Sequence, residues 1–359
     1  MPVNVSSLQQ FRLNAGLSQQ EVGDLVGVTR QTIAAWERGD REISVAQLAK
    51  VAKALKVPLT LLLSDTEDEV PELLFRADDP SVLSTELKAL LSRKSEDYAQ
   101  IELLAGESPI LPETRPLAEV DTGLIERVAQ GTRDWLGVDD APIGDVLALF
   151  ESKGLKVICH PLPKEVSGFS AYTDDWGGVI VINDGHPLER QYFTALHELA
   201  HLIFHRKEYD HRNPPASTRG DPREKAANYF ASAVLLPPNI MESEFKGYHL
   251  NWIPEAILAD MKLRYKVSMR TVLMRAAALG LISRKRMGQQ LGVLNKKYGP
   301  EGEPVALPTS DAKAQSRLER LTYRALVKER ITTTRAAEVL STPLARVRER
   351  LADYLTEPV

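Results

Sequence analysis

The chain has 359 residues, 43% hydrophobic, 26% charged and 6% aromatic, with a formal net charge of −4. That is enough apolar material for two or three globular domains and excludes a disordered chain; it gives no whole-chain attraction to nucleic acid, so any DNA contact has to come from a local surface. The single cysteine, Cys159, excludes an intramolecular disulfide and fits a reducing cytoplasm. In the run LKVICHPL it reads as a small buried hydrophobe in a strand. The N-terminus has neither a basic nor an apolar leader region, and no run of 18 apolar residues occurs, so neither a signal peptide nor a membrane span is expected.

Residues 1–64 read as a string of short helices. In LSQQEVGDLVGVTRQTIAAWERG, residues 17–39, Ser18 is placed to cap a helix whose apolar face holds Val22, Leu25 and Val26. Gly23 is small where a second helix crosses, and Gly27 sits where a tight turn needs positive φ. Thr29 caps the next helix, which turns Ile33 and Trp36 inward. Arg30, Gln31 and Thr32 are then left outward at the helix start, where a helix-turn-helix meets base edges; glutamine reads adenine and arginine reads guanine. Gln19 is placed to touch phosphate, and Thr29 and Arg38 complete the candidate DNA-contacting set. Together with ISVAQLAKVAKALKVPLTLLL downstream, residues 5–63 resemble the phage-repressor-like helix-turn-helix domains of the XRE family. The resemblance implies a DNA-binding helical bundle, a homodimer and a palindromic double-stranded operator.

The stretch DTEDEVPELLFRADDPS is acidic and proline-containing, a surface connection within a linking region of residues 65–120. Helical spacing returns over 84–105, with Ser84 as cap, then over 121–136, then over 143–153, where Gly154 stops it. Three strand candidates follow, LKVICHPL, GFSAYT and GGVIVIND, bounded by Pro, Gly and Asp. Nearly everything beyond them is helical. The break YGPEGEPVALPTSD sets off a last helical segment, so that a second domain covers 121–298, with a core at about 145–240, and C-terminal helices cover 312–359.

The second domain contains TALHELAHLIFH, residues 194–205. Residues four apart on a helix share a face, so His197 and His201 can aim at one ion, while Glu198, rotated by about 100°, stands beside it. This is the H-E-x-x-H arrangement, in which zinc polarises a scissile carbonyl and acidifies a water, and the glutamate moves the proton to the leaving amine. A catalytic zinc needs a third protein ligand and one open position. Phe204 and Lys207 exclude the metzincin spacing. Glu224, in DPREKAANYFASAVLLP, is a candidate; yet Asp221-Pro222-Arg223-Glu224 is equally a good helix start, with Asp as cap and Glu three residues on. On spacing alone the two roles stay open, with His205 and His211 as rival ligands. Arg190, Asn228, Tyr192 and Tyr229 are polar residues near this helix whose roles the sequence does not separate from structural hydrogen bonding.

Residues from about 145 to 240 resemble the ImmA/IrrE metallopeptidase family, through VSGFSAY, VIVIND, HPLERQYFTALHELAHLIFH and E-K-A-A-N-Y-F-A-S-A-V-L-L-P. The resemblance implies a zincin-like α+β peptidase domain with His197, His201 and Glu224 as zinc ligands and Glu198 as catalytic acid/base; the sequence itself does not separate zinc from manganese. KLRYKVSMRTVLMRAAALGLIS resembles a second helix-turn-helix, with Ser268 as cap and Val272 and Leu273 inward. ITTTRAAEVLSTPLARVRERLADY has the same look, with a turn at Ser341–Pro343. Arg346, Arg348 and Arg350 are basic there, but packing helices are the preferred reading for both segments.

The expected architecture is thus multidomain and mainly α with a small sheet: a helix-turn-helix bundle, a peptidase domain and C-terminal helices. The expected function is a cytoplasmic DNA-binding transcriptional regulator with a zinc endopeptidase that cleaves a repressor-like regulator, a toxin-like partner or itself within Asp65–Ser81. Family analogy connects such proteins with mobile elements, stress responses and toxin–antitoxin control. The alternative is a repressor or antitoxin whose metal domain binds or senses without proteolysis.

Overall fold

The computed structural model describes residues 8, 12, 17–55, 83–117, 119–174, 176–207, 220–246, 252–307 and 315–355. The Asp65–Ser81 connection and His211 lie outside the described residues. The chain divides into two units, Met1–Leu73 with Leu83–Arg93, and Leu74–Val82 with Lys94–Val359.

In the first unit, α1 (Gln19–Val26), α2 (Arg30–Arg38) and α3 (Val45–Leu55) enclose a core of Val22, Val26, Ile33, Trp36, Leu48, Val51, Ala52 and Leu55, joined by Leu8. Ser18 and Glu21 form a reciprocal capping box at the start of α1, and Thr29 caps α2 by accepting from the Thr32 amide. Gly27 ends α1 at φ 78°, and a Cβ on Gly23 would lie 2.7 Å from the Val28 carbonyl oxygen. Both glycines are therefore required by the α1–α2 turn. Leu25 departs from expectation: it is 62% exposed. It lies about 100° around the helix from Val26, outside the narrow stripe that meets α2 and α3. Arg12 is buried against Glu37, with Nε–Oε1 2.5 Å and Nη2–Oε2 3.1 Å.

The second unit holds α4 (Thr85–Ala105) from Lys94 onward, α5 (Thr122–Leu136), α6 (Val146–Ser152), and the strands β1 (Lys156–His160), β2 (Gly168–Thr173) and β3 (Gly177–Asn183). Sheet order is β1–β3–β2, with β1 parallel and β2 antiparallel to β3; Ile158 faces Val181 and Ala171 faces Val179. All residues of β3 are buried, as befits a central strand covered on both faces, so GGVIVIN is a continuous apolar run rather than an alternating one. Cys159 is exposed, not buried as its apolar setting suggests. β1 is an edge strand, and cover is lost toward its C-terminal end, where Cys159 and His160 follow the buried Val157 and Ile158.

Helix α7 (Leu188–Phe204) packs on β2 and β3, and α8 (Pro222–Leu235) packs on α7 and α5. Leu196, Leu199, Ala200, Leu202 and Ile203 are all buried, and so are Glu198 and His201, so the second half of α7 is enclosed on nearly every side although it carries polar residues. Four further helices, α9 (Pro238–Phe245), α10 (Glu255–Tyr265), α11 (Met269–Ala278) and α12 (Arg284–Tyr298), extend this core. The last three, α13 (Arg317–Val327), α14 (Thr333–Val339) and α15 (Leu344–Leu355), form a small cluster around Tyr323, Leu326, Ala336 and Val347. Ser268 caps α11, with Val272 and Leu273 buried, and Ser341 turns α14 into α15 at φ 50°. Arg317 ties α13 to α4: its Nη1 lies 2.6 Å from Glu102, which also takes Lys156 Nζ of β1 at 2.7 Å.

Candidate functional site

The metal-binding candidates come from two adjacent helices. On α7, His197 and His201 stand one turn apart, with Nε2 atoms 3.0 Å from each other. On α8, Glu224 turns its carboxylate to both: Oε2 lies 3.0 Å from His197 Nε2 and Oε1 lies 3.5 Å from His201 Nε2. Helix α8 is capped by Asp221, whose side chain accepts from the Arg223 amide. With the cap supplied by Asp221, the Glu224 carboxylate is directed to the histidines. Burial works to raise its pKa, but hydrogen bonds and charge attraction from His197 and His201 outweigh this and hold it well below the usual carboxylate range.

The chain is similar to known proteins in two separate regions. Residues 150–277 match the family model of the IrrE N-terminal-like domain, a peptidase family, and residues 8–62 match that of the helix-turn-helix. The chain thus carries a helix-turn-helix domain and an IrrE N-terminal-like domain, each by its own family-model match. Over 67 residues it is 33% identical to the cryptic phage CTXphi transcriptional repressor RstR of Vibrio cholerae, covering 19% of this chain and 60% of that protein. Over 54 residues it is 39% identical to the HTH-type transcriptional regulator YgzD of Bacillus subtilis, covering 15% of this chain and 82% of that one. A solved Mycobacterium tuberculosis transcriptional regulator is 18% identical, spanning 51% of this chain and 52% of its own, at a TM-score of 0.32. No helix among the described residues is long and apolar enough to cross a membrane.

The IrrE-like domain fits a divalent ion by donor chemistry and spacing. Two imidazoles and one carboxylate are the donor set of a catalytic zinc site with a fourth position open. Ligand atoms at about 2.0–2.2 Å from one tetrahedral ion stand about 3.3 Å apart, against 3.0, 3.0 and 3.5 Å here. His197 Nδ1 lies 3.1 Å from Asn228 Oδ1, one turn past Glu224. A carbonyl oxygen only accepts, so this contact holds a proton on Nδ1 and leaves Nε2, facing the site, as the nitrogen through which the neutral ring can ligate. The candidate ligands are sorted by this geometry: among the described residues the donor triangle is His197, His201 and Glu224, and His205 meets His201 from behind.

Glu198 is 5% exposed and accepts from the Ser170 hydroxyl of β2 at 2.5 Å. Sequence reasoning misses Ser170. It lies inside VSGFSAY, but only the approach of β2 to α7 shows its partner. That approach is close: a Cβ on Gly168 would lie 2.7 Å from Thr194 Cγ2. The other polar candidates have structural partners. The Tyr229 hydroxyl donates to Glu126 at 2.7 Å, a carboxylate also gripped by Arg275. Buried Tyr192 pairs with Asp145, and burial first, then this carboxylate, raises its pKa. Arg190 donates to Ser167 at 3.0 Å and to Glu301 at 3.2 Å.

In the helix-turn-helix domain the six candidate DNA-contacting residues separate. Arg30 and Gln31 are exposed at the start of α2 and make no side-chain hydrogen bond or ion pair among the described residues. Thr29 is occupied as the cap and touches the half-buried Thr32, hydroxyl to hydroxyl, at 2.9 Å. Gln19 donates to Glu37 at 2.8 Å, so its amide group is anchored inward rather than presented to phosphate. Arg38 is exposed, with Nε 2.7 Å from Asp40.

Proposed function

We propose that this chain is a transcriptional regulator whose helix-turn-helix domain binds a palindromic DNA operator as a homodimer, and whose IrrE-like domain is a zinc endopeptidase acting on a regulatory protein partner or on the chain itself. The observation that carries the peptidase reading is the convergence of His197, His201 and Glu224 beside a buried Glu198. When bound, zinc supplies Lewis-acid polarisation of the scissile carbonyl and acidifies a water. The imidazole-rich donor set suits zinc better than manganese, which favours oxygen ligands.

The chain's own residues do the remaining work. His197 and His201 present Nε2 lone pairs, and Glu224 adds one negative charge, leaving the site less than fully neutralised and still electrophilic. Glu198 takes a proton from the attacking water and delivers it to the leaving nitrogen. The hydroxyl of Ser170 holds one Glu198 oxygen, so the base is not left to free rotation. In the DNA-binding half, Arg30 and Gln31 at the start of α2 are the base-reading pair.

Elemental mass spectrometry on zinc-loaded wild type, His201→Ala and Glu224→Ala tests the site first. One ion per chain, lost in both variants, supports it; no ion in the wild type sinks the peptidase. Glu198→Gln then tests catalysis in cells carrying a reporter under the chain's operator. Unchanged regulation by this variant would leave a repressor or antitoxin with a binding or sensing metal domain. For the DNA half, duplexes selected from a random pool should lose about 1–3 kcal/mol of binding on Arg30→Ala or Gln31→Ala; equal binding would refute the assigned readers.

A further inference from the structure

Resting on the zinc reading, we propose that His205 is the positioning residue of His201: it accepts the Nδ1 proton of that ligand and thereby fixes which nitrogen faces the metal. The geometry begins with helix periodicity. His197, His201 and His205 are four apart, so each is rotated about 40° around α7 from the one before. Across two steps the rotation reaches about 80°. The third histidine has therefore drifted off the face that meets Glu224, and it sits one turn below His201 as the C-cap residue.

Its ring meets the second ligand, Nδ1 to Nδ1, at 3.0 Å, with both rings buried at 2% and 4% exposure. A hydrogen bond between two imidazole nitrogens needs one proton and one lone pair. Were His205 the donor, His201 would accept at Nδ1 and carry its proton on Nε2, the atom that faces His197 and Glu224. A protonated Nε2 cannot ligate. Metal binding therefore selects the other arrangement, in which His201 Nδ1–H donates to a His205 Nδ1 lone pair. The two ligands then have two different orienting acceptors: a carboxamide oxygen from Asn228 on α8 for His197, and an imidazole from the end of α7 itself for His201. Orienting partners of this kind are worth about 10–100-fold in metal affinity.

Two substitutions separate the acceptor from the packing. His205→Phe keeps a ring of similar volume and removes the acceptor. His205→Asn removes the ring but places an amide oxygen where Nδ1 stood. The measurement is zinc affinity by competition with a chromophoric chelator, on the full chain, with zinc alone as the ligand and thermal unfolding of the metal-free proteins as the folding control. We expect His205→Phe to bind zinc about 10–100-fold more weakly and His205→Asn to recover to within a few-fold of wild type, both at a wild-type unfolding midpoint without metal. Wild-type affinity in both variants would overturn the role of His205 while leaving the zinc site standing. Weakening in Asn alone, or equal weakening in both, would also overturn it, because ring packing or direct ligation would then be the contribution. A wild-type protein that binds no zinc would overturn this assignment and the peptidase reading together.

Discussion

Glu102 offers the sharpest test of the forces that hold the second unit. Its carboxylate is 1% exposed and pairs with two buried cations, Lys156 Nζ at 2.7 Å and Arg317 Nη1 at 2.6 Å. One negative charge thus compensates two positive ones, and the two possible neutralisations are unequal. Glu102→Gln leaves both cations without their counter-charge. Arginine cannot shed its proton, and the other carboxylate that its guanidinium pairs with among the described residues, Glu107, is 3.9 Å away. Lysine can release its proton: burial already lowers the Lys156 pKa, with the attraction of Glu102 opposing that fall. The loss is therefore dominated by Arg317, and removing one partner of a buried pair costs about 3–5 kcal/mol. Lys156→Met has the opposite logic. It leaves Glu102 and Arg317 as a balanced pair and replaces a buried ammonium stem by an apolar one of similar length, so a change of about 1 kcal/mol or less, of either sign, is expected. Amide exchange in β1 and α13 reads this unit separately from the helix-turn-helix unit. Equal destabilisation by the two variants would refute the charge argument, and so would a Glu102→Gln protein indistinguishable from wild type.

Asn228→Ala removes the acceptor of His197 Nδ1–H and should weaken zinc binding about 10–100-fold, read by chelator competition, while leaving the metal-free protein folded. Glu37→Gln leaves buried Arg12 without its counter-charge and frees the Gln19 amide; about 3–5 kcal/mol should be lost from the first unit, measured by denaturant unfolding of residues 1–64 against the same variant in the full chain. The Glu244 carboxyl is held below its ordinary value of 4.5, chiefly by hydrogen bonds from Arg264. A depressed folded pKa gives stability that is present above 4.5 and lost as pH falls through the folded value. Glu244→Gln should therefore flatten the acid limb of the stability–pH curve below about 4.5 while shifting the neutral plateau by the lost ion pair alone.

Local chemistry made much of this molecule legible. Ser18, Thr29, Ser84 and Ser268 stand as helix caps where their residue types place them, because a capping oxygen serves the amide three residues on without reference to the rest of the fold. The three strands match because Gly, Pro and Asp bound them, and the histidine pair is set by helical periodicity alone. What failed depends on tertiary neighbours. Leu25 and Cys159 are apolar-looking positions whose exposure is decided by where the covering elements end. Whether Glu224 is cap or ligand could not be settled by spacing, since both roles use the same offset from Asp221; the orientation of α8 against α7 gives its carboxylate to the histidines. Ser170 and the Glu102–Lys156–Arg317 cluster join residues far apart in sequence, and no local pattern marks a buried ion network before its partners are known.

The same turn geometry occurs in both units with opposite surroundings, and this bears on which copy can read DNA. In the first, α1 ends at left-handed Gly27, Val28 follows, Thr29 caps, and α2 begins. In the second, α10 ends at Lys266 at φ 56°, Val267 follows, Ser268 caps, and α11 begins. At the start of α2, no side chain among the described residues accepts from the Arg30 or Gln31 amide, so its N-terminal partial positive charge is available to a phosphate. At the start of α11, Glu303 accepts from the Met269 amide at 3.1 Å, with Arg270 held by the Gly302 and Gly299 carbonyls at 2.8 and 2.6 Å. Glu303 also takes Lys262 at 2.7 Å, and Lys262 in turn pairs with Glu189 in the first turn of α7. An internal carboxylate thus occupies the position that an anionic partner would need, and Met269, which corresponds to Arg30, is buried. The second copy is consumed by packing within the core that also holds α7, whereas among the described residues the start of α2 keeps the Arg30 and Gln31 side chains exposed and their amides uncapped by any side chain.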